Sequence, residues 1–215
     1  MKMRLITLLC FGDSNTWGFD PATWERYPQG IRWPGVLRNE LGEGYKIIEE
    51  GLNGRTAVMS NSLDGFSNSE TDLATALAIH CPLDLVILML GTNDLIMRSS
   101  ASPDDVGKGI DILLDIIHQS GAGPGGSAPA VLLLAPPPIG AQAGETDALK
   151  SAAVQSHLFA ERYASLAVDF DCAFLNAGEI VRSSEIDGFH LDASEHTKLG
   201  LAIAERVRVI FAGAG

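Results

Sequence analysis

Cysteine is scarce in this chain of 215 residues: there are three thiols, Cys10, Cys81 and Cys172, and no CxxC pair. An odd, scattered set, each member in or beside an apolar stretch, excludes a disulfide-stapled scaffold and reads as reduced, buried thiols in an intracellular protein. Basic side chains are few as well. Fifteen Lys and Arg stand against 27 Asp and Glu, a formal net charge of −12. No Lys/Arg run interrupts that balance, which argues against nucleic acid and against anionic membrane surfaces as partners. No apolar stretch reaches the ~18 residues of a membrane span. The start, Met1-Lys2-Met3-Arg4 followed by LITLLCF, imitates a secretory leader, but no small-residue cleavage site follows Phe11 and the run passes directly into GDSN. A cytoplasmic protein is expected. What the chain does have is 46% hydrophobic residues, enough to exclude disorder and to fill one sizeable core, so residues 1–215 are read as a single domain.

Five short apolar runs, Leu5–Phe11, Lys46–Glu50, Leu85–Leu90, Val131–Ala135 and Ala173–Leu175, are too short for helices and mostly lack polar alternation. That pattern belongs to strands buried on both faces of a parallel sheet. Between them lie segments with helical spacing: Ile31–Leu41, Thr71–His80, Asp104–Gln119 opened by Ser102-Pro103, Glu145–Asp169 and Ala193–Phe211. Strand and helix alternating along the whole chain predict βαβ crossovers and a doubly wound α/β sheet. The loop Gly121–Pro129 formally contains GxGxxG at Gly121, Gly123 and Gly126. A dinucleotide fingerprint follows a strand and opens a helix, whereas here the order is reversed, so the loop is read as a helix-to-strand connection.

In an open α/β sheet, ligands bind beyond the carboxyl ends of the strands. The residues there are polar: Gly12-Asp13-Ser14-Asn15 after the first run, Gly51-Leu52-Asn53-Gly54-Arg55-Thr56 after the second, and Gly91-Thr92-Asn93-Asp94 after the third. Asp187-Gly188-Phe189-His190 precedes the last helix. One Ser, one His and one Asp are the parts of a nucleophilic triad. A serine hydroxyl needs a base at neutral pH, which makes His190 the candidate for Ser14, and Asp187 lies three residues before it, where it can hold the imidazole tautomer. Three groups are suited to receive an oxyanion: the Ser14 N–H, the Gly54 N–H with no side chain to obstruct it, and the Asn93 amide. Each block also has a plainer reading as a turn or helix cap. Their coincidence at one sheet edge favours chemistry.

These blocks, in this order, resemble those of the SGNH (GDSL-type) hydrolases, and most closely the bacterial arylesterase and acyltransferase subgroup. The likeness rests on GDSNTWG at Gly12–Gly18, IEEGLNGRT at Ile48–Thr56, LDLVILMLGTND at Leu83–Asp94 and DGFHLD at Asp187–Asp192. It implies a flavodoxin-like three-layer α/β/α sandwich with five parallel strands, reaction through an acyl-enzyme, and no cofactor. It also implies Ser14 as nucleophile, His190 as base and Asp187 as its orienter, with Ser14, Gly54 and Asn93 forming the oxyanion hole. The missing second glycine of a GxSxG elbow agrees with this family rather than with the larger α/β-hydrolases. Trp17 is expected to wall the acyl pocket and Arg55 to shape the substrate site beside Gly54, while Asp13 and Asp94 fix loops by bonding to backbone. Relatives in the subgroup form multimers, so a homo-oligomer is expected.

The segments Phe19–Gly30 and Val58–Glu70 are read as loops beside the cleft that suit a small acyl or aryl group. The expected activity is hydrolysis of short-acyl aryl or alkyl esters, with acyl transfer or perhydrolysis as variants. A carbohydrate acetylesterase or a lysophospholipase-like enzyme is the alternative within the superfamily. Two readings from other classes stay open: a metal-dependent hydrolase built on Asp13, Asp187 and His190 with His196, and a non-catalytic flavodoxin-like binding module. His80, His118 and His157 have no partner at ligand spacing and are read as structural.

Overall fold

The computed structural model describes residues 4–58, 69–97 and 101–212. In chain order the elements are β1 (Ile6–Gly12), α1 (Ser14–Trp17), α2 (Trp33–Leu41), β2 (Tyr45–Gly51), α3 (Ser69–His80), β3 (Leu85–Met89), α4 (Thr92–Met97), α5 (Pro103–Gln119), β4 (Ala130–Ala135), α6 (Asp147–Ser156), α7 (Phe159–Asp169), β5 (Ala173–Asn176) and α8 (Ala193–Ala212). The five strands form one sheet in the order β2-β1-β3-β4-β5, every neighbouring pair parallel. This is the expected flavodoxin-like α/β sandwich.

Strand alternation divides the apolar residues between two cores. Leu9, Phe11, Val86, Leu88, Leu133 and Ala135 point to the face covered by α3, α5, α6 and α7, where they meet Leu73, Leu77, Ile110, Leu113, Phe159 and Tyr163. Leu8, Cys10, Ile87, Met89, Leu132 and Leu134 point to the other face, against Trp33 and Leu37 of α2 and Leu199, Ile203 and Val207 of α8. Burial on both faces explains why these strands carry no polar alternation.

Local chemistry sets the helix limits. Ser102 caps α5 in a reciprocal box: its hydroxyl accepts from the Asp105 N–H at 3.2 Å while its own N–H donates to the Asp105 carboxylate at 3.3 Å, and Pro103 occupies the first turn. The single helix expected over Glu145–Asp169 is two, α6 and α7. Ser156 closes the first by donating to the Ala153 carbonyl at 2.7 Å and accepting from the Ile139 N–H at 2.9 Å. Such side-chain bonding competes with the helical ladder, and no Gly or Pro marks the break. Residues 121–129 connect α5 to β4, as expected. All three cysteines are free thiols, but only Cys10 is buried as expected; Cys172 is half-buried and Cys81 exposed. Among the described residues no helix is long and apolar enough to cross a membrane.

Two glycines bring α1 down onto the sheet. In the register, Gly12 at the end of β1 lies opposite Gly51 of β2 and Met89 of β3. A Cβ on Gly12 would stand 2.2 Å from the Thr16 hydroxyl, and one on Gly51 would stand 2.1 Å from the Trp17 nitrogen. The first turn after β1 therefore rests directly on backbone. Gly51→Ala should push α1 off the strand end, destabilising the fold by about 1–3 kcal/mol in urea titrations and lowering turnover more than that loss accounts for.

Candidate active site

The chain leaves β1 to build β2 on one side and returns to build β3 on the other, so the crevice beyond β1 is the topological switch point where α/β sheets take their ligands. Ser14 is the first residue of α1, and Asp13 caps that turn by accepting the Asn15 N–H at 2.9 Å. Gly18, at φ +88°, closes it with a bond from its N–H to the Ser14 carbonyl at 2.8 Å. Ser14 is held at 7% exposure.

His190 comes to Ser14 from the far end of the chain. Its Nε2 lies 3.0 Å from the Ser14 Oγ, and its Nδ1 lies 2.6 Å from Asp187 Oδ2. A carboxylate can only accept, so Nδ1 carries the proton and Nε2 is left to accept from the serine hydroxyl. The other Asp187 oxygen accepts the N–H groups of Phe189 and His190 at 2.9 and 3.0 Å. Burial alone would push the Asp187 carboxyl up; the bonds from the His190 ring and from these two N–H groups more than offset it and hold the carboxyl below its ordinary value. The Phe19 ring stacks on the His190 ring with centroids 4.3 Å apart.

The second and third blocks meet beside this pair. Gly54 adopts φ +77°, a conformation that favours glycine. Asn93, second in α4, donates from Nδ2 to the Arg55 carbonyl at 3.0 Å, which aims the amide at the Gly54-Arg55 segment. An amide carries two N–H groups on one planar nitrogen, so the bond to Arg55 also fixes the direction of the second. Asp94 fixes the same loop by accepting the N–H groups of Ala57 and Val58 at 2.8 and 2.9 Å. Asp13 and Asp94 thus bond to backbone as expected. Asp13 is fully buried, and desolvation raises its carboxyl to about 6 against the opposing pull of the Asn15 N–H, His190 and Arg55.

Arg55, expected to shape the substrate site, is buried at 4% exposure. Its guanidinium turns inward, bonding the carbonyls of Gly12, at 2.8 Å, and Glu50, with its Cζ 4.1 Å from the Phe11 ring centroid. It ties the ends of β1 and β2 together beneath the cleft. Trp17 is half-buried beside Arg26, whose guanidinium carbon lies 5.1 Å from its ring. The four residues of the metal alternative have separate duties. Asp13 caps α1, Asp187 orients His190, and His196 accepts the Trp33 N–H at 3.3 Å inside the α8 packing, where burial drives its pKa down to about 3. Among the described residues no group of three or more His, Cys, Asp and Glu is gathered to hold a metal ion. His80 has a partner that its sequence neighbours do not reveal, the Glu50 carboxylate at 2.8 Å. Most of the predicted loop 58–70 lies outside the described residues.

Three residues near the site escaped sequence reasoning. Asn15 sends its side chain across to the His190 segment, and Phe19 covers the imidazole. Met97, at the end of α4, reaches to 3.6 Å from where a Gly54 Cβ would stand. All three depend on tertiary contacts, and the sequence hinted at two of them, Asn15 by its place inside GDSN and Phe19 at the start of the loop expected beside the cleft.

A parallel three-layer α/β fold with a Ser–His–Asp hydrogen-bond chain at its carboxyl edge has the architecture of the SGNH hydrolases. The chain belongs to the GDSL-like lipase/acylhydrolase family, which matches residues 10–197. It is, accordingly, an ester-hydrolysing enzyme. The native aryl esterase of M. smegmatis superposes with a TM-score of 0.88 at 36% identity, covering 95% of this chain and 99% of that one. A carbohydrate acetylesterase from Sinorhizobium meliloti gives 0.86 at 38%, with 95% and 99% covered. A lipolytic protein of the G-D-S-L family from Veillonella parvula shares the fold at 16% identity and a TM-score of 0.68, covering 93% of this chain and 97% of that one. No curated protein sequence matches the chain.

The raised Asp13 carboxyl links folding to pH. Between about pH 4 and 6 the folded protein keeps a proton that the unfolded chain has released, so the contribution of Asp13 to stability falls as pH rises through that window. Asp13→Asn retains a cap for the Asn15 N–H and removes the titration. Urea titrations should show wild type losing on the order of 2–3 kcal/mol relative to this variant between pH 4 and 7.

Proposed function

We propose that this enzyme is a serine esterase that cleaves short-acyl, acetyl-type esters of aryl or alkyl alcohols through an acyl-enzyme. The observation that carries the reading is the continuous chain from Ser14 Oγ to His190 Nε2 at 3.0 Å and from His190 Nδ1 to Asp187 Oδ2 at 2.6 Å. Ser14 attacks the ester carbonyl carbon as its proton passes to His190 Nε2, and Asp187 stabilises the imidazolium that forms. The carbonyl oxygen becomes an oxyanion received by the N–H groups of Ser14 and Gly54 and the Asn93 amide. Collapse of the tetrahedral adduct expels the alcohol, which takes the proton from His190. Water then attacks the acyl carbon as its proton passes to His190, and collapse of the second adduct returns that proton to Ser14 Oγ as the carboxylic acid leaves. An alcohol or hydrogen peroxide in place of water would give acyl transfer or perhydrolysis by the same steps.

Trp17, half-buried three residues after Ser14, is proposed as part of the acyl wall. The likeness to the M. smegmatis aryl esterase supports an aryl leaving group, and the likeness to the S. meliloti carbohydrate acetylesterase supports a second reading in which the alcohol belongs to a sugar. Both use one catalytic chain and differ in the group that leaves.

A p-nitrophenyl ester series from acetate to octanoate, run beside an acetylated sugar, decides between them. Turnover should be highest for acetate and fall with acyl length, and Ser14→Ala should abolish it while leaving the fold intact. An organophosphonate should label Ser14; no turnover together with no label would refute the esterase reading. Asn93→Ala should lower kcat by about 10²–10³-fold, as expected for loss of one oxyanion donor, and a change confined to KM would contradict that assignment.

A further inference from the structure

We infer that Asn15 is a positioning residue that sets His190 against Ser14. The inference rests on the reading of those two residues as base and nucleophile. Asn15 directly follows Ser14 and is buried at 2% exposure. Its Nδ2 donates to the Phe189 carbonyl at 3.0 Å, and its Oδ1 accepts the Leu191 N–H at 3.0 Å. These backbone groups belong to the residues on either side of His190. One planar amide therefore grips the catalytic segment both before and after the base. Among the described residues, these and the Ser14–His190 contact itself are the hydrogen bonds that join α1 to residues 187–191.

The choice of side chain follows from that geometry. The Phe189 carbonyl needs a donor and the Leu191 N–H needs an acceptor, and asparagine offers one of each on a short, stiff stem. Aspartate would keep the acceptor and lose the donor. Leucine would fill the volume and leave both backbone groups unpaired. The segment holding His190 has bonds of its own, from the Ser184 N–H to the His190 carbonyl at 2.7 Å and from the Gly140 N–H to the Gly188 carbonyl at 2.8 Å. Those bonds shape the loop but do not reference it to Ser14. Asn15 does, because its backbone continues directly from the nucleophile. Misplacing a reacting group by about 1 Å can reduce rate by about 10²-fold, so the expected effect falls on kcat.

The test compares wild type, Asn15→Leu and Asn15→Asp as full chains, with active sites counted by organophosphonate labelling of Ser14. Kinetics on p-nitrophenyl acetate are read per labelled site beside the thermal midpoint and the downfield proton resonance of His190 Nδ1–H. Asn15→Leu should lose about tenfold to hundredfold in kcat per site with KM changed by less than about twofold, and its His190 resonance should broaden. Asn15→Asp, which keeps the bond to Leu191, should lose less. Wild-type kcat per site in Asn15→Leu would overturn the inference whatever the thermal midpoint, since Asn15 would then act on folding alone. Should Asn15→Leu fail to fold, Asn15→Asp decides: a fall in kcat at constant KM supports positioning, and unchanged kcat overturns it. A wild type that neither turns over nor labels at Ser14 would remove the esterase reading itself, a result distinct from a labelled wild type matched by its variants.

Discussion

The seating of the α1 turn on the ends of β1 and β2 is the contact on which the site depends. At Gly12 and Gly51 no side chain intervenes, so the turn carrying Ser14 rests on backbone. A turn of four residues has little stability of its own. It is held from outside by the Asp13 cap, by Gly18, by the strand ends beneath it and by the reach of Asn15 to the last loop. The parallel sheet supplies the rest, because every strand delivers its following loop to the same edge. Ser14, Gly54 and Asn93 follow three adjacent strands and share one crevice for that reason.

Charge is handled locally in a chain with a large acidic excess. Glu49 on β2 is nearly buried, and burial would raise its carboxyl, but bonds from Arg32 at 2.5 Å and Arg38 at 2.8 Å hold it below its usual range. Asp187 is treated in the same way by His190 and two backbone N–H groups. Asp13 is the exception: beside Ser14, desolvation wins over the opposing contacts. Each outcome is set within a few ångströms, and the net charge of −12 has no direct part in the site.

The fold was legible because strands buried on both faces leave continuous apolar runs, and each predicted run coincides with a strand to within two residues. Ser102-Pro103 marked the start of α5 through cap chemistry that is itself local. The break between α6 and α7 was not legible, since Ser156 ends the first helix by bonding Ile139 across the fold. Ser14, Gly54 and Asn93 stood out as candidates because position after a strand is a local property, and Asp187 and His190 because they share one short block before the last helix. The direction of the Arg55 side chain was not legible, because nearness to Gly54 in sequence says nothing of which way a long side chain turns; its guanidinium bonds two strand-end carbonyls. Asn15 was hidden for the complementary reason, as both of its partners lie more than 170 residues away.

That separation bears on the order of biosynthesis. Ser14 and His190 are 176 residues apart. A nascent chain that has already formed β1, β2 and β3 holds Ser14, Gly54 and Asn93 but neither Asp187 nor His190. The Ser14–His190–Asp187 bond chain closes only when the segment before α8 has left the ribosome and docked, and α8 behind it completes the core against α2. A product of translation interrupted before Asp187 therefore lacks two of the three groups in that bond chain.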